Sequence, residues 1–198
     1  NYGVYKPPEC FNVHYLVPKR STEEFKRFRQ QFETQLRQIG CTPNETAETE
    51  YELGGKLGYN EVTTTVAASD PDAVLAIVPS PDNEFIRDGT IDDPYKELKK
   101  ALGKQSIPTQ MVKAENLDNS WVHRNTALGL IGGAGGVPWR VADMPGDVDC
   151  FIGLDATYDQ QKDQFLGASA SVVRADGTVF VSKSQSLQSG ETFDEDVI

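Results

Sequence analysis

The run Asn125–Val141, NTALGLIGGAGGVPWRV, is followed by an acidic connection, ADMPGDV, and then by Asp149–Gln160, DCFIGLDATYDQ. Two signals sit side by side. The first is an apolar helical run that breaks on glycines and leaves through Pro138 and Trp139. The second is a buried-strand pattern, Phe151-Ile152-Gly153-Leu154, that ends on one carboxylate, Asp155. A core strand can hold a carboxylate in fixed geometry, which metal-dependent phosphodiester chemistry requires.

Upstream of this junction, strands alternate with helices. Phe11–Val17 reads as a strand ended by Pro18. Ser21 with Glu24 three residues on gives a capping-box pattern, opening a helix with Phe25, Phe28, Phe32, Leu36 and Ile39 at helical spacing up to Gly40. Its charges Lys26, Arg27, Arg29 and Arg37 read as a solvated face. Cys41–Gly58 reads as an exposed, Glu-rich loop. Glu61–Ala67, with its VTTTV run, reads as a strand, and Ala73–Val78 as a buried parallel strand. Pro79–Asp93 is a loop, with Asp93 or Asp92 capping a helix that has Pro94 in its first turn. A strand over Ile107–Val112 and a helix over Ser120–Ile131 follow. The fold class expected is α/β, a Rossmann-like domain with a parallel sheet.

Downstream the pattern changes. Phe151–Leu154, Phe165–Arg174 and Thr178–Ser182 read as strands, with a tight turn at Asp176-Gly177, so antiparallel hairpins open a new sheet. The expected organisation is a linker over 1–10, a first domain over 11–142 and the start of a second over 143–198. The missing initiator Met and the ending FDEDVI predict a piece of a longer chain.

Composition bounds the function classes. No apolar run nears the roughly 20 residues of a membrane span, and the first residues lack a signal-peptide layout. Three scattered cysteines fit reduced thiols in a cytoplasmic protein. Two histidines and no CxxC speak against a structural zinc site. The formal net charge is −11, from 30 acidic and 19 basic residues. Taken bluntly this opposes nucleic-acid binding. A halophile's acidic surface around a locally basic groove gives the same total, so the clustering of Lys and Arg decides more than the sum.

GGAGGVPWRV followed by FIGLDAT resembles the junction between the MID and PIWI domains of Argonaute proteins. The resemblance, with the acidic composition, suggests a halophilic archaeal member. It implies a MID domain followed by the first β-hairpins of a ribonuclease H-like PIWI domain, and guide-directed endonuclease activity in the whole protein. The implied partners are a short guide DNA or RNA, its complementary target and the remainder of the Argonaute chain.

The resemblance also marks residues. Tyr95 and Lys99 stand four apart on one helix face and match the Tyr-x-x-x-Lys pair that holds the guide 5′ end. A ring beside an ammonium can stack a base while the charge meets its phosphate. Thr109-Gln110-Met111-Val112 is similar to the family's (S/T)-Q-x-V segment, whose Gln bonds the 5′ phosphate. Lys113 follows it, and Asn125 matches the family's Asn. Taken singly, Tyr95 and Lys99 are an ordinary amphipathic pair and Gln110 means little; the ordered set carries the resemblance. One departure stands out. Gly133 occupies the place of a helix Lys that reaches the phosphate. A divalent cation, Lys113 or a residue elsewhere would then compensate.

Asp155 matches the first catalytic metal ligand of the PIWI domain, and Glu191 the mobile glutamate, with Glu195 second. Mg²⁺ or Mn²⁺ is the implied cofactor, because hard cations prefer several oxygen ligands. The remaining ligands would lie past Ile198, so this chain should not cut alone. GLIGGAGG lacks the Lys-Ser/Thr of a phosphate-binding P-loop, which excludes nucleotide hydrolysis there. The rival readings are a small-molecule-binding α/β domain and an acidic protein-interaction module.

Overall fold

The computed structural model describes residues 3–140, 148–159, 164–174 and 178–183. They fall into two compact units, Asn1–Pro138 and Trp139–Ile198.

The first unit is built on four parallel strands: β1 (Asn12–Pro18), β2 (Glu45–Tyr51), β3 (Ala73–Val78) and β4 (Thr109–Lys113), in the spatial order β2-β1-β3-β4. All six residues of β3 are buried, as a strand covered on both faces demands. Two apolar layers result. On one face Val13, Tyr15, Leu75 and Ile77 meet Phe25, Phe28, Phe32 and Leu36 of α1 (Thr22–Gln38) and Ala127, Leu130 and Ile131 of α5 (Ser120–Gly133). On the other, Leu16, Val74, Ala76 and Val78 meet Tyr59 and Val66 of α2 (Lys56–Ala67) and Leu98 and Leu102 of α4 (Pro94–Lys104). A short helix, α3 (Glu84–Arg87), interrupts the loop after β3. The expected parallel α/β architecture is present.

Three local expectations are corrected. The VTTTV run is helical, within α2. Tyr59, Thr63 and Val66 recur at helical spacing and are buried, while the hydroxyls of Thr63 and Thr64 both donate to the Asn60 carbonyl at 3.0 and 2.9 Å. Back-bonding satisfies the hydroxyls, and burial of one apolar face outweighs β-branched propensity. The supposed loop over Cys41–Gly58 contains β2. An edge strand needs only its backbone on the inner side, so ETAETEY pairs with β1 while five of its seven residues stay exposed. Its last residue turns inward, and the Tyr51 hydroxyl donates to the Ile77 carbonyl at 2.7 Å. Finally, no side chain caps α1. A 3₁₀ turn over Lys19–Ser21 precedes it, and Ser21 makes no capping bond.

Arg29 departs from a solvated face too. It lies over the Tyr15 ring, 4.7 Å from the centroid, and reaches Glu33, Glu48 and Thr46 at 2.8, 3.0 and 2.9 Å. The side chain thereby ties α1 to the edge strand. Gly40, at φ +82°, closes α1 in the left-handed region that favours glycine. Near the amino terminus the Val4 N–H donates to the Ile39 carbonyl, and Lys6 pairs with Val137.

The second unit is an antiparallel sheet of β5 (Cys150–Asp159), β6 (Gln164–Arg174) and β7 (Val179–Lys183), in that spatial order. The hairpin pattern agrees with expectation. The Asp176-Gly177 turn lies outside the described residues. No described helix is long and apolar enough to cross a membrane.

Candidate nucleic-acid interface

α4 begins where the sequence places it. Asp93 is the N-cap, its carboxylate accepting the Tyr95 N–H at 3.0 Å, with Pro94 in the first turn. The preceding loop is clamped. The Asp92 carboxylate accepts the Lys56 N–H at 2.7 Å, and the Asp92 N–H donates to the Gly54 carbonyl at 3.0 Å. The Tyr59 hydroxyl accepts from the Gly54 N–H and donates to the Asp92 carbonyl, at 3.0 and 3.2 Å. Pro94, Leu98, Ala101 and Leu102 face the core. Tyr95 is left 49% exposed, with Lys99 one turn below it on the same side.

Lys99 reaches the free edge of the sheet. Its ammonium donates to the Thr109 carbonyl at 2.5 Å. In a parallel ladder alternate carbonyls point to opposite neighbours. The Pro108 carbonyl accepts from Val74 of β3 at 2.8 Å, so the Thr109 carbonyl turns outward and would be an orphan without Lys99. The ammonium therefore sits against the peptide unit that joins Thr109 to Gln110.

Gln110 points to the α5 side. Its carboxamide lies on Gly129: a Cβ built there would stand 2.7–2.9 Å from the Gln110 carboxamide atoms. Gly133, one turn on, makes a second close approach, with the Pro108 Cβ 2.9 Å from where its own Cβ would be. Asn125, one turn before Gly129, is exposed on the same stripe. Gly129 and Gly133 thus let α5 lie close against Gln110 and Pro108, with Asn125 exposed one turn earlier. Gly129 and the Thr109 carbonyl are the elements that sequence reading missed. The available signal was the four-residue spacing of Asn125, Gly129 and Gly133.

Lys99 and Gln110 lie on opposite faces of β4: the Lys99 ammonium meets the Thr109 carbonyl, while the Gln110 carboxamide lies against Gly129 of α5, with Asn125 a turn away. Tyr95 stands a turn from Lys99. Lys113 lies exposed at the far, carboxyl end of β4. Asp155 is exposed on β5, opposite Ser169. Glu191 and Glu195 lie outside the described residues. A divalent cation needs several oxygen ligands. Among the described residues no three His, Cys, Asp or Glu side chains gather to hold a metal. No catalytic step follows from the described placement of Asp155.

Charge is segregated. α4 carries four lysines and one glutamate in eleven residues, in a chain of net charge −11. The acidic total hides a local positive surface on the helix that carries Lys99. A separate cavity of about 140 Å³ opens at the carboxyl ends of β1 and β2, lined by Pro18, Arg20, Phe85 and Ile91 among others. Its Lys19 is already paired with Glu52 at 2.8 Å, and the loop beside it is rich in Asp.

No family model matches the chain. A curated relative, the Protein argonaute of Aquifex aeolicus (strain VF5), is 32% identical over 72 residues, covering 32% of this chain and 10% of the relative. The structure of Drosophila Piwi superposes with a TM-score of 0.72 at 18% identity, over 92% of this chain and 26% of that one. The MID-PIWI domains of N. crassa QDE-2 AGO give 0.64 at 16% identity, over 91% and 54%. Aa-Ago with externally bound siRNA gives 0.63 at 17% identity, over 92% and 27%. The fold is that of Argonaute MID-PIWI regions. This Argonaute-like chain spans a tenth of the curated relative and about a quarter to a half of these solved chains.

Proposed function

We propose that the chain anchors the 5′ end of a short guide nucleic acid, as the MID domain and opening PIWI strands of a longer Argonaute. The observation that carries this reading is the Lys99 ammonium on the outward Thr109 carbonyl at the free edge of β4, a helical turn from the exposed Tyr95 ring, with the Gln110 carboxamide on the other face of the same strand. The Argonaute-like fold and the order of the motifs support it.

The chemistry follows from donor counts. An ammonium has three donors, and the Thr109 carbonyl takes one. Two remain for a terminal phosphate. The Gln110 amide adds a neutral donor, and the exposed Tyr95 ring offers a face for the first base. Gly133 in place of a helix lysine leaves the phosphate with fewer cations, so Lys113 or a divalent cation would make up the charge. Asp155 would be the first metal ligand of the whole protein's endonuclease site, with Glu191 as the mobile glutamate. Mg²⁺ or Mn²⁺ bound there would supply Lewis-acid activation of water. The acidic surface fits a halophilic, archaeal origin.

Binding of 5′-phosphorylated and 5′-hydroxyl oligonucleotides tests the anchor. Wild type should prefer the phosphorylated strand. A charge-assisted hydrogen bond is worth about 1.5–3 kcal/mol, so Lys99→Ala should erase roughly a tenfold or larger preference. Tyr95→Ala should weaken both strands alike. Equal binding of both strands by wild type and Lys99→Ala would reject the anchor.

A further inference from the structure

We propose that Lys96, Lys100 and Lys104 form a second nucleic-acid contact, a sequence-independent track for a strand's phosphodiester backbone along the outer face of α4. It rests on the reading that the chain binds a nucleic-acid strand, and concerns residues that the 5′-end anchor does not use.

Three observations place the track. The lysines recur every four residues on one helix, so successive Cα atoms are about 6 Å apart and the ridge is about 12 Å long. All three are exposed, opposite the buried face of Pro94, Leu98, Ala101 and Leu102. Little competes for their charge. Among the described residues one ion pair touches the ridge, Lys96 to Asp93 at 3.6 Å, and Lys100 and Lys104 make none.

Geometry selects the ligand class. A nucleic-acid strand carries a phosphate about every 3.4 Å of axial rise, so a ridge of this length faces roughly three or four of them. The ridge offers no apolar side chain that would anchor a protein partner; Gly103 beside Lys104 leaves open space. Ammonium groups on flexible stems suit phosphates as point charges and read no sequence. The ridge runs along the same helix as Tyr95 and Lys99, so a strand held at its end has phosphates within reach of it.

The test is the salt dependence of binding of 5′-phosphorylated single strands, short and long. The chain is compared with the triple variant Lys96→Gln/Lys100→Gln/Lys104→Gln. A charge-matched control carries Lys19→Gln/Lys26→Gln/Lys56→Gln. Gln keeps helix propensity close to that of Lys. Three lost phosphate contacts should flatten the slope of log affinity against log salt by about 2 for a long strand. The control should keep the wild-type slope, and the 5′-phosphate preference should survive in both variants. A ridge variant with the slope of the control would overturn the track, as would a wild-type chain that binds no strand. A flattened slope in a protein that never prefers a 5′ phosphate would sink the end anchor and leave the track standing.

Discussion

β3 and β5 are both apolar strands, yet the chain treats them oppositely. Every side chain of β3 is buried between two helical layers. In the second unit Phe151, Ile152 and Leu154 of β5 and Val179, Phe180 and Val181 of β7 are each about half exposed. Consecutive residues on a strand face opposite ways, so apolar side chains reach solvent from both faces of that sheet. Side-chain precision resides in the closed first unit. Lys99, Gln110 and Asn125 stand on elements fixed by a closed core, whereas Asp155 stands on a strand whose described neighbours leave it open.

The largest expected effect sharpens this contrast. Phe28 is 1% exposed, stacked on Phe32 and edge-on to His123. Phe28→Ala should cost about 3–5 kcal/mol. Phe180→Ala, in the open sheet, should cost well under about 1.5 kcal/mol. Denaturant titration of each variant measures both. Equal losses would break the distinction between the units.

Next come the two close glycines of α5. Gly133→Ala drives a methyl toward the Pro108 ring carbon, which cannot swing away, and should destabilise by about 1–3 kcal/mol as overpacking does. Gly129→Ala meets only the end of the flexible Gln110 side chain. Its stability should hold or rise by up to about 1 kcal/mol through helix propensity, while the displaced carboxamide lowers the 5′-phosphate preference. Loss of stability without loss of preference in Gly129→Ala would contradict the seat described for Gln110.

A smaller effect concerns pH. His14 is buried between the Ser69 and Thr49 hydroxyls, at 2.7 and 2.9 Å. The Ser69 hydroxyl also lies 2.7 Å from the Val66 carbonyl and donates to it. Burial lowers the pKa of the ring, so the unfolded chain takes up a proton first as pH falls. Stability present above the ordinary histidine value of about 6.5 should decline below it and be lost as pH passes the lowered folded pKa. His14→Gln should remove that part of the pH dependence in thermal melts. Smallest of all, Asp155→Ala should shift stability by less than about 0.5 kcal/mol, as exposed positions do.

Much of this was legible in the sequence. The helical spacing of Phe25, Phe28, Phe32 and Leu36, the continuous apolar run Ala73–Val78 and the Asp93-Pro94 start of α4 each carry their own period or cap. What was missed had a weaker signature. The threonines of α2 favour a strand by propensity, and only tertiary burial of Tyr59 and Val66 selects the helix. β2 is polar because an edge strand is held through its backbone. At the candidate site, residue types and order pointed to Tyr95, Lys99, Gln110 and Asn125. The seat on Gly129 left only a weak mark, the four-residue spacing of Asn125, Gly129 and Gly133, because a glycine acts there by what it lacks, and the Thr109 carbonyl left none because backbone atoms do not show in residue identity.

The most direct measurement is a crystal structure with a 5′-phosphorylated mononucleotide soaked in. Expected are phosphate oxygens within about 3 Å of the Lys99 ammonium and of a Gln110 amide swung off Gly129 to the free edge of β4, with the base against the Tyr95 ring. A phosphate bound elsewhere, with Lys99 still turned only to the Thr109 carbonyl, would contradict the anchor.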